Sequence, residues 1–237
     1  MSEIPVYETP AAAAQACAEA IRSLCADAIR ERGVARVAVS GGSTPRLMFE
    51  ALRGMALDWQ RIDWFWVDER CVPPDHELSN YGMTARSLFE PAGVPGERIH
   101  RVRGELPPQE ALEAYLEEMA RVFESPFPEF DVVQLGMGAD AHTASLFPGE
   151  PLIEEIGGVA AAVFVAKLEQ WRVTLLPEVL FAARARLVLV TGEDKAGALR
   201  RIISEPLEPK RLPAQLLLSK EALSHFFLDR AAAAGLE

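Results

Sequence analysis

In the segment Leu135-Gly136-Met137-Gly138-Ala139-Asp140-Ala141-His142-Thr143-Ala144-Ser145-Leu146-Phe147-Pro148-Gly149, an Asp and a His stand two residues apart just after an apolar run. His142 is the one side chain there suited to exchanging a proton near neutral pH, the basic requirement of general acid–base chemistry. Val132-Val133-Gln134-Leu135 predicts a strand. The two glycines permit a tight turn, and Ser145-Leu146-Phe147 reads as a short packed segment that holds the loop. The other histidines lack such a setting: His76 lies in the polar loop Pro73-Pro74-Asp75-His76, and His100 and His225 belong to no motif.

Four further places could bind an anion. Ser40-Gly41-Gly42-Ser43-Thr44, between a predicted strand and helix, fits a phosphate cradle in which glycines admit close backbone approach and a helix N-terminus supplies free N–H groups. The alternative is a Gly-rich turn closed by Thr44 as N-cap, with Pro45 at the first helical position. Asp68-Glu69-Arg70 follows the aromatic strand Trp64-Phe65-Trp66-Val67, so Arg70 suits either an anion clamp oriented by the two acids or a surface ion pair. Lys195, in Thr191-Gly192-Glu193-Asp194-Lys195, opens a helix where a cation is unfavourable for the dipole, which points to an anionic ligand. Arg172 in Trp171-Arg172-Val173-Thr174 is a similar candidate, although a lone strand charge also suits a solvent face.

Other chemistries are less supported. Asp140, His142 and His76 could be imagined around a metal, but the chain has no HExxH or paired CxxC, and no metal is expected. Cys71 and Ser145 lie in no recognisable nucleophile motif, so packing is the expected role for both.

The elements that must position these groups follow from periodicity. Residues 11 to 32 place Cys17, Ile21, Leu24, Cys25, Ala28 and Ile29 on one helical face ending at Gly33, and Val34 to Val39 predicts a strand. A helix with Leu47, Met48, Ala51 and Leu52 comes next, then a strand from Ile62 to Val67 and a Pro-rich loop running to Ser79. Leu112, Tyr115, Leu116, Met119, Val122 and Phe123 mark an amphipathic helix before the strand at 131 to 135. Val159 to Val165 and Trp171 to Leu175 predict strands, followed by a helix near Pro177 to Ala183 and a strand from Leu187 to Val190. A helix carrying Ala196, Leu199, Ile202 and Ile203 and a last strand from His225 to Leu228 complete the order. Alternation of apolar strands with helices predicts an α/β fold, a mostly parallel sheet with helices on both faces. Ser40, Asp68, Gly136 and Gly192 would then all lie past the carboxyl ends of strands, where open α/β sheets bind ligands.

The 237 residues, 49% of them apolar, suit one domain spanning residues 1 to 237. A net charge of −11 argues against a broad nucleic-acid or anionic-membrane surface, leaving room for a local cationic pocket. Cys17, Cys25 and Cys71 form no CxxC pair and fit a reducing compartment. The first residues show no basic stretch followed by an apolar one, and no apolar run reaches the ~18 residues of a membrane helix, so a cytoplasmic protein is expected.

Taken in order, Ser40-Gly41-Gly42-Ser43-Thr44-Pro45, Asp68-Glu69-Arg70, Ser79-Asn80-Tyr81, the run Gly136 to Pro148, Arg172-Val173-Thr174 and Gly192 to Lys195 resemble the 6-phosphogluconolactonase family, within the glucosamine/galactosamine-6-phosphate isomerase superfamily. The resemblance covers nearly the whole chain. It implies a Rossmann-like doubly wound sheet and hydrolysis of 6-phospho-D-glucono-1,5-lactone to 6-phosphogluconate in the oxidative pentose phosphate pathway, with no organic cofactor. It also implies that His142 activates water with support from Asp140. Ser40, Gly41, Gly42, Ser43, Thr44, Arg70, Arg172 and Lys195 would form the phosphate and substrate pocket. The expected partner is a small phosphorylated sugar lactone, with no nucleic acid or membrane, and a monomer is expected. Two related readings are a glucosamine-6-phosphate deaminase/isomerase, against which Thr143 to Pro148 speaks, and a non-catalytic sugar-phosphate sensor, for which no DNA-binding segment is evident. The chain departs from the family at Ala141, where Gly is usual, and at Gln170-Trp171, where Pro is common nearby.

Overall fold

Apolar residues along the strands divide alternately between two cores, one on each face of a central sheet. The structure, a computed structural model, describes residues 4–154, 157–218 and 224–236. Its strands are β1 (Val6–Tyr7), β2 (Ala35–Val39), β3 (Ile62–Trp66), β4 (Asp68–Arg70), β5 (Val132–Leu135), β6 (Ala160–Val165), β7 (Gln170–Leu175), β8 (Ala185–Val190) and β9 (Ser224–Asp229). Its helices are α1 (Pro10–Arg32), α2 (Ser43–Leu52), α3 (Asn80–Thr84), α4 (Glu90–Ala92), α5 (Pro108–Phe123), α6 (Pro177–Ala182), α7 (Ala196–Ser204) and α8 (Arg230–Ala233). Val37, Val39, Trp64, Trp66, Leu187 and Leu189 pack toward α1 and α2, whereas Ala38, Phe65, Val133, Leu135, Val188 and Val190 pack toward α5 and α7. That two-sided burial is what the uninterrupted apolar strands predict.

The central sheet has the order β1-β9-β8-β5-β2-β3, with every pairing parallel. Parallel strands enter from one end, so the turns after β2, β5 and β8 gather at the same rim. Helix α1 shows how closely local signals set the boundaries: Thr9 accepts from the Ala12 amide at 3.1 Å, and Gly33, in the left-handed region at φ 81°, ends the helix by donating to Ile29. Cys17 and Cys25 are fully buried on its inner stripe, and burial pushes both thiols up.

Three features depart from the expected order. Asp68-Glu69-Arg70 forms a strand rather than the entry to a loop, and it joins β7 and β6 in a separate antiparallel sheet of order β4-β7-β6. Val67 is the bridge: its amide donates to Val39 of the central sheet, and its carbonyl accepts from Leu175 of the small one. The strands expected at 159–165 and 171–175 therefore exist, but as a hairpin leaning over the rim rather than as members of the parallel sheet. Finally, α3, a π-helical turn at Ala85–Phe89 and α4 follow the Pro-rich loop, where periodicity showed no helix.

Candidate active site

The loop after β5 is held by its own backbone. Gly138 donates to the His142 carbonyl, Ala141 donates to the Gly138 carbonyl, and Thr143 Oγ1 donates to the Gly136 carbonyl at 2.9 Å. Within this fold the imidazole stands against Gly138: a Cβ there would lie 2.1 Å from the His142 ring, so only glycine leaves the ring in this position. Ala141 is fully buried with φ 65°, the left-handed conformation that an L-residue adopts under strain.

Asp140 Oδ1 lies 2.5 Å from His142 Nδ1 and also accepts from the His142 amide. The other oxygen, Oδ2, accepts from Lys167. Partial burial opposes the Asp140 charge, but the hydrogen bonds from His142 and Lys167 outweigh it and hold the carboxyl far below the usual carboxylate range. A carboxylate only accepts, so Nδ1 carries a proton, and in the neutral ring Nε2 presents its lone pair. The ring also packs on Phe147 at 4.3 Å between centroids. Among the described residues Nε2 has no hydrogen-bond partner, and the ring borders a cavity of about 220 Å³.

The same cavity is bordered by every segment expected to bind an anion: Ser40 to Thr44, Arg70, Arg172 and Lys195. It is smaller than the ~300–1,000 Å³ of drug-sized sites, a scale suited to a compact metabolite. Gly42, at φ 117°, occupies the N-cap position and α2 begins at Ser43, so Thr44 is not the N-cap and Pro45 is the third helical residue, not the first. Freed from capping, Thr44 Oγ1 pairs with Thr191 Oγ1 at 2.8 Å and ties the glycine turn to the end of β8. By helix geometry the amides of Ser43 and Thr44 have no intrahelical acceptor, and they stand beside the cavity. On the opposite wall, Gly192 is fixed by donation to Asp229 at 3.0 Å, and Lys195 reaches the cavity while pairing with Asp194 at 2.6 Å.

The small sheet brings in the two arginines. Arg70 and Arg172 are direct partners in the antiparallel register of β4 and β7. Arg172 is buried rather than solvent-facing, and Asp68 Oδ2 lies 3.6 Å from its Nη1. Burial pulls the Arg172 guanidinium down, Asp68 supports its charge and Arg70 opposes it. The two acids do not orient the Arg70 side chain, as the sequence suggested; its guanidinium instead donates to the Leu78 carbonyl. Glu69 points to the other face, where it accepts from the amides of Asn80 and Tyr81 and from the Ser79 hydroxyl. Ser145, fully buried, donates to Asp68 at 2.6 Å, a structural bond in keeping with its expected packing role.

Two residues at the site were not read from the sequence as members of it. Asn80 borders the cavity and donates to the Asp68 carbonyl at 2.8 Å; the Ser79-Asn80-Tyr81 motif was its only signal. Lys167 comes from the β6–β7 connection, and nothing in its spacing foretold contact with Asp140. Among the described residues no three His, Cys, Asp or Glu side chains converge as a metal-ligand set, and no helix is long and apolar enough to cross a membrane.

Fold and site together define a doubly wound α/β protein with a small cation-lined cavity and a His–Asp pair at its strand-end rim. The family described as glucosamine-6-phosphate isomerases/6-phosphogluconolactonase matches residues 8–225, and the chain belongs to it. The chain is 36% identical to a 6-phosphogluconolactonase of Haemophilus influenzae over 200 residues, covering 83% of this chain and 85% of the relative. It is 39% identical to a human 6-phosphogluconolactonase over 170 residues, 71% and 66% of the two chains. The crystal structure of 6-phosphogluconolactonase from Thermotoga maritima superimposes with a TM-score of 0.83 at 28% identity, covering 96% of this chain and 99% of that one. A structure of a monomeric glucosamine-6-phosphate deaminase, at 18% identity and a TM-score of 0.82 over 98% and 99% of the chains, shares the fold.

Proposed function

We propose that this chain hydrolyses 6-phospho-D-glucono-1,5-lactone to 6-phosphogluconate, the second step of the oxidative pentose phosphate pathway, with His142 as general base. The observation that carries the reading is the placement of His142 Nε2, without a partner among the described residues and fixed through Nδ1 by Asp140, on the same cavity as the glycine turn and three cations. Relatives named 6-phosphogluconolactonase at 31–39% identity support the substrate.

Neutral His142 takes a proton from water as the water oxygen bonds to the lactone carbonyl carbon. The tetrahedral intermediate then collapses by breaking the bond from that carbon to the ring oxygen, which receives the proton from His142. The new carboxylic acid loses its proton to solvent, and no covalent enzyme intermediate forms. Ser40 to Thr44, Arg70, Arg172 and Lys195 bind the phosphate and the polar body of the substrate, each through N–H groups or charge. The chain works as a single cytoplasmic domain and as a monomer, without a metal or organic cofactor. The test is a direct assay with freshly prepared 6-phosphogluconolactone, corrected for spontaneous hydrolysis: enzyme-dependent acid release supports the reading, and its absence with folded protein rejects it.

A further inference from the structure

Lys167 belongs to no motif, yet its ammonium ends on the two groups that hold the imidazole. It lies in the short turn Ala166–Leu168 between β6 and β7, donates to Asp140 Oδ2, and stands 4.2 Å from the centroid of Phe147. Asp140 is the partner of His142 Nδ1, and Phe147 is the ring on which His142 packs. We propose that Lys167 is a positioning residue for lactone hydrolysis. By engaging the second oxygen of Asp140 and the face of Phe147, it limits the negative charge felt by His142 and so widens toward acid the pH range in which Nε2 is free to accept a proton. The proposal rests on the reading of His142 as the base.

The sign follows from elementary electrostatics. A carboxylate beside an imidazole favours the imidazolium, and a cation on the carboxylate's far oxygen weakens that preference. Removing the cation therefore makes the ring hold its proton to higher pH. Lys167 is about half exposed, so solvent screens the effect and the difference in rate it makes is small, about threefold, the scale of two charges several ångströms apart in a water-like medium. Other charges face the same group. Arg172 of β7 stands 5.5 Å from the Phe147 centroid, and Asp68, Arg70 and Lys195 border the same cavity. All of them remain in a Lys167 variant, so the comparison isolates one charge.

The experiment compares wild type with Lys167→Met and Lys167→Arg by kcat/KM for 6-phosphogluconolactone between pH 5.5 and 8, and by NMR titration of the His142 ring without substrate. Wild type should exceed Lys167→Met by about threefold at the acid end, with the ratio shrinking toward one as pH rises, while Lys167→Arg keeps the wild-type dependence. A ratio that does not change with pH, whatever its size, overturns the proposal. If the protein hydrolyses no lactone at all, the ring titration still decides: a His142 resonance that titrates identically in wild type and Lys167→Met overturns the coupling, and an upward displacement in the variant upholds it while the lactonase reading fails.

Discussion

Arg70 and Arg172 face each other directly across the antiparallel pairing of β4 and β7, and both border the cavity that holds His142. Like charges in such cross-strand positions destabilise a sheet, and burial of Arg172 adds to the cost. Asp68 offsets part of it through Arg172, but Arg70 has no carboxylate partner on its guanidinium among the described residues. An anion bound between the two guanidiniums would offset that repulsion, which is the role proposed for them.

Arg70→Ala should therefore weaken use of 6-phosphogluconolactone by roughly 10- to 100-fold in kcat/KM while changing hydrolysis of unphosphorylated gluconolactone little, the loss expected for one charge-assisted contact. Lys195→Ala should show the same split. Parallel steady-state assays on the two lactones check it, and equal losses on both would remove the anion-binding role.

Ala141 supplies a stability prediction. At φ 65° its strain is about 1–2 kcal/mol, whereas glycine adds about 0.4–1 kcal/mol of unfolded-chain entropy and gives up a buried methyl. Ala141→Gly should thus stabilise the fold by at most about 1 kcal/mol and leave turnover close to wild type. Urea melts give the sign, and a clear loss of stability would show that packing of the Ala141 methyl dominates over backbone strain.

Gly138→Ala makes the opposite separation. The new Cβ would stand 2.1 Å from the His142 ring, so the ring must leave its place on Asp140. Turnover should fall at least about tenfold, the scale of displacing a positioned base, while a thermal melt moves only modestly. Wild-type turnover in this variant would mean that the ring position seen here is not the working one.

Much of this was legible in the sequence because parallel strands, helix ends and Gly-rich turns are local signals. Gly33 ends α1 where the sequence places its end, and the apolar runs at β2, β5 and β8 lie where periodicity puts them. The rim also followed, since parallel strands deliver their carboxyl ends to one side. What stayed hidden depends on pairing at a distance. Asp68-Glu69-Arg70 has no strand pattern and becomes one only because β7 lies beside it, and the burial of Arg172 follows from that same pairing. The N-cap was misplaced because Gly42 takes a backbone conformation for which Thr44 looked the better residue by type alone. Lys167 could not be read at all, since its reach to Asp140 is set by how the β6–β7 hairpin leans over the rim.

Stability should depend on acid in a definite direction. Burial raises the Asp63 carboxyl, but hydrogen bonds from His100 and Arg98 outweigh it and leave it lowered; at Glu118 the Arg121 hydrogen bond lowers the carboxyl, burial opposes this, and His100 adds to the lowering. Groups lowered in the folded state contribute stability above their unfolded values of about 4, and lose it as pH falls through the folded ones. Denaturant melts should therefore be nearly constant above about pH 5.5 and decline progressively below about pH 4. Asp63→Asn should flatten part of that decline, and an unchanged acid dependence in the variant would contradict the assignment.

The central claim is that His142, fixed by Asp140, activates the water that opens the lactone. The most direct measurement pairs turnover of fresh 6-phosphogluconolactone by His142→Ala with calorimetric binding of 6-phosphogluconate to the same protein. Turnover lower by about two to four orders of magnitude with product binding retained is the predicted result. Turnover near wild type would contradict the account.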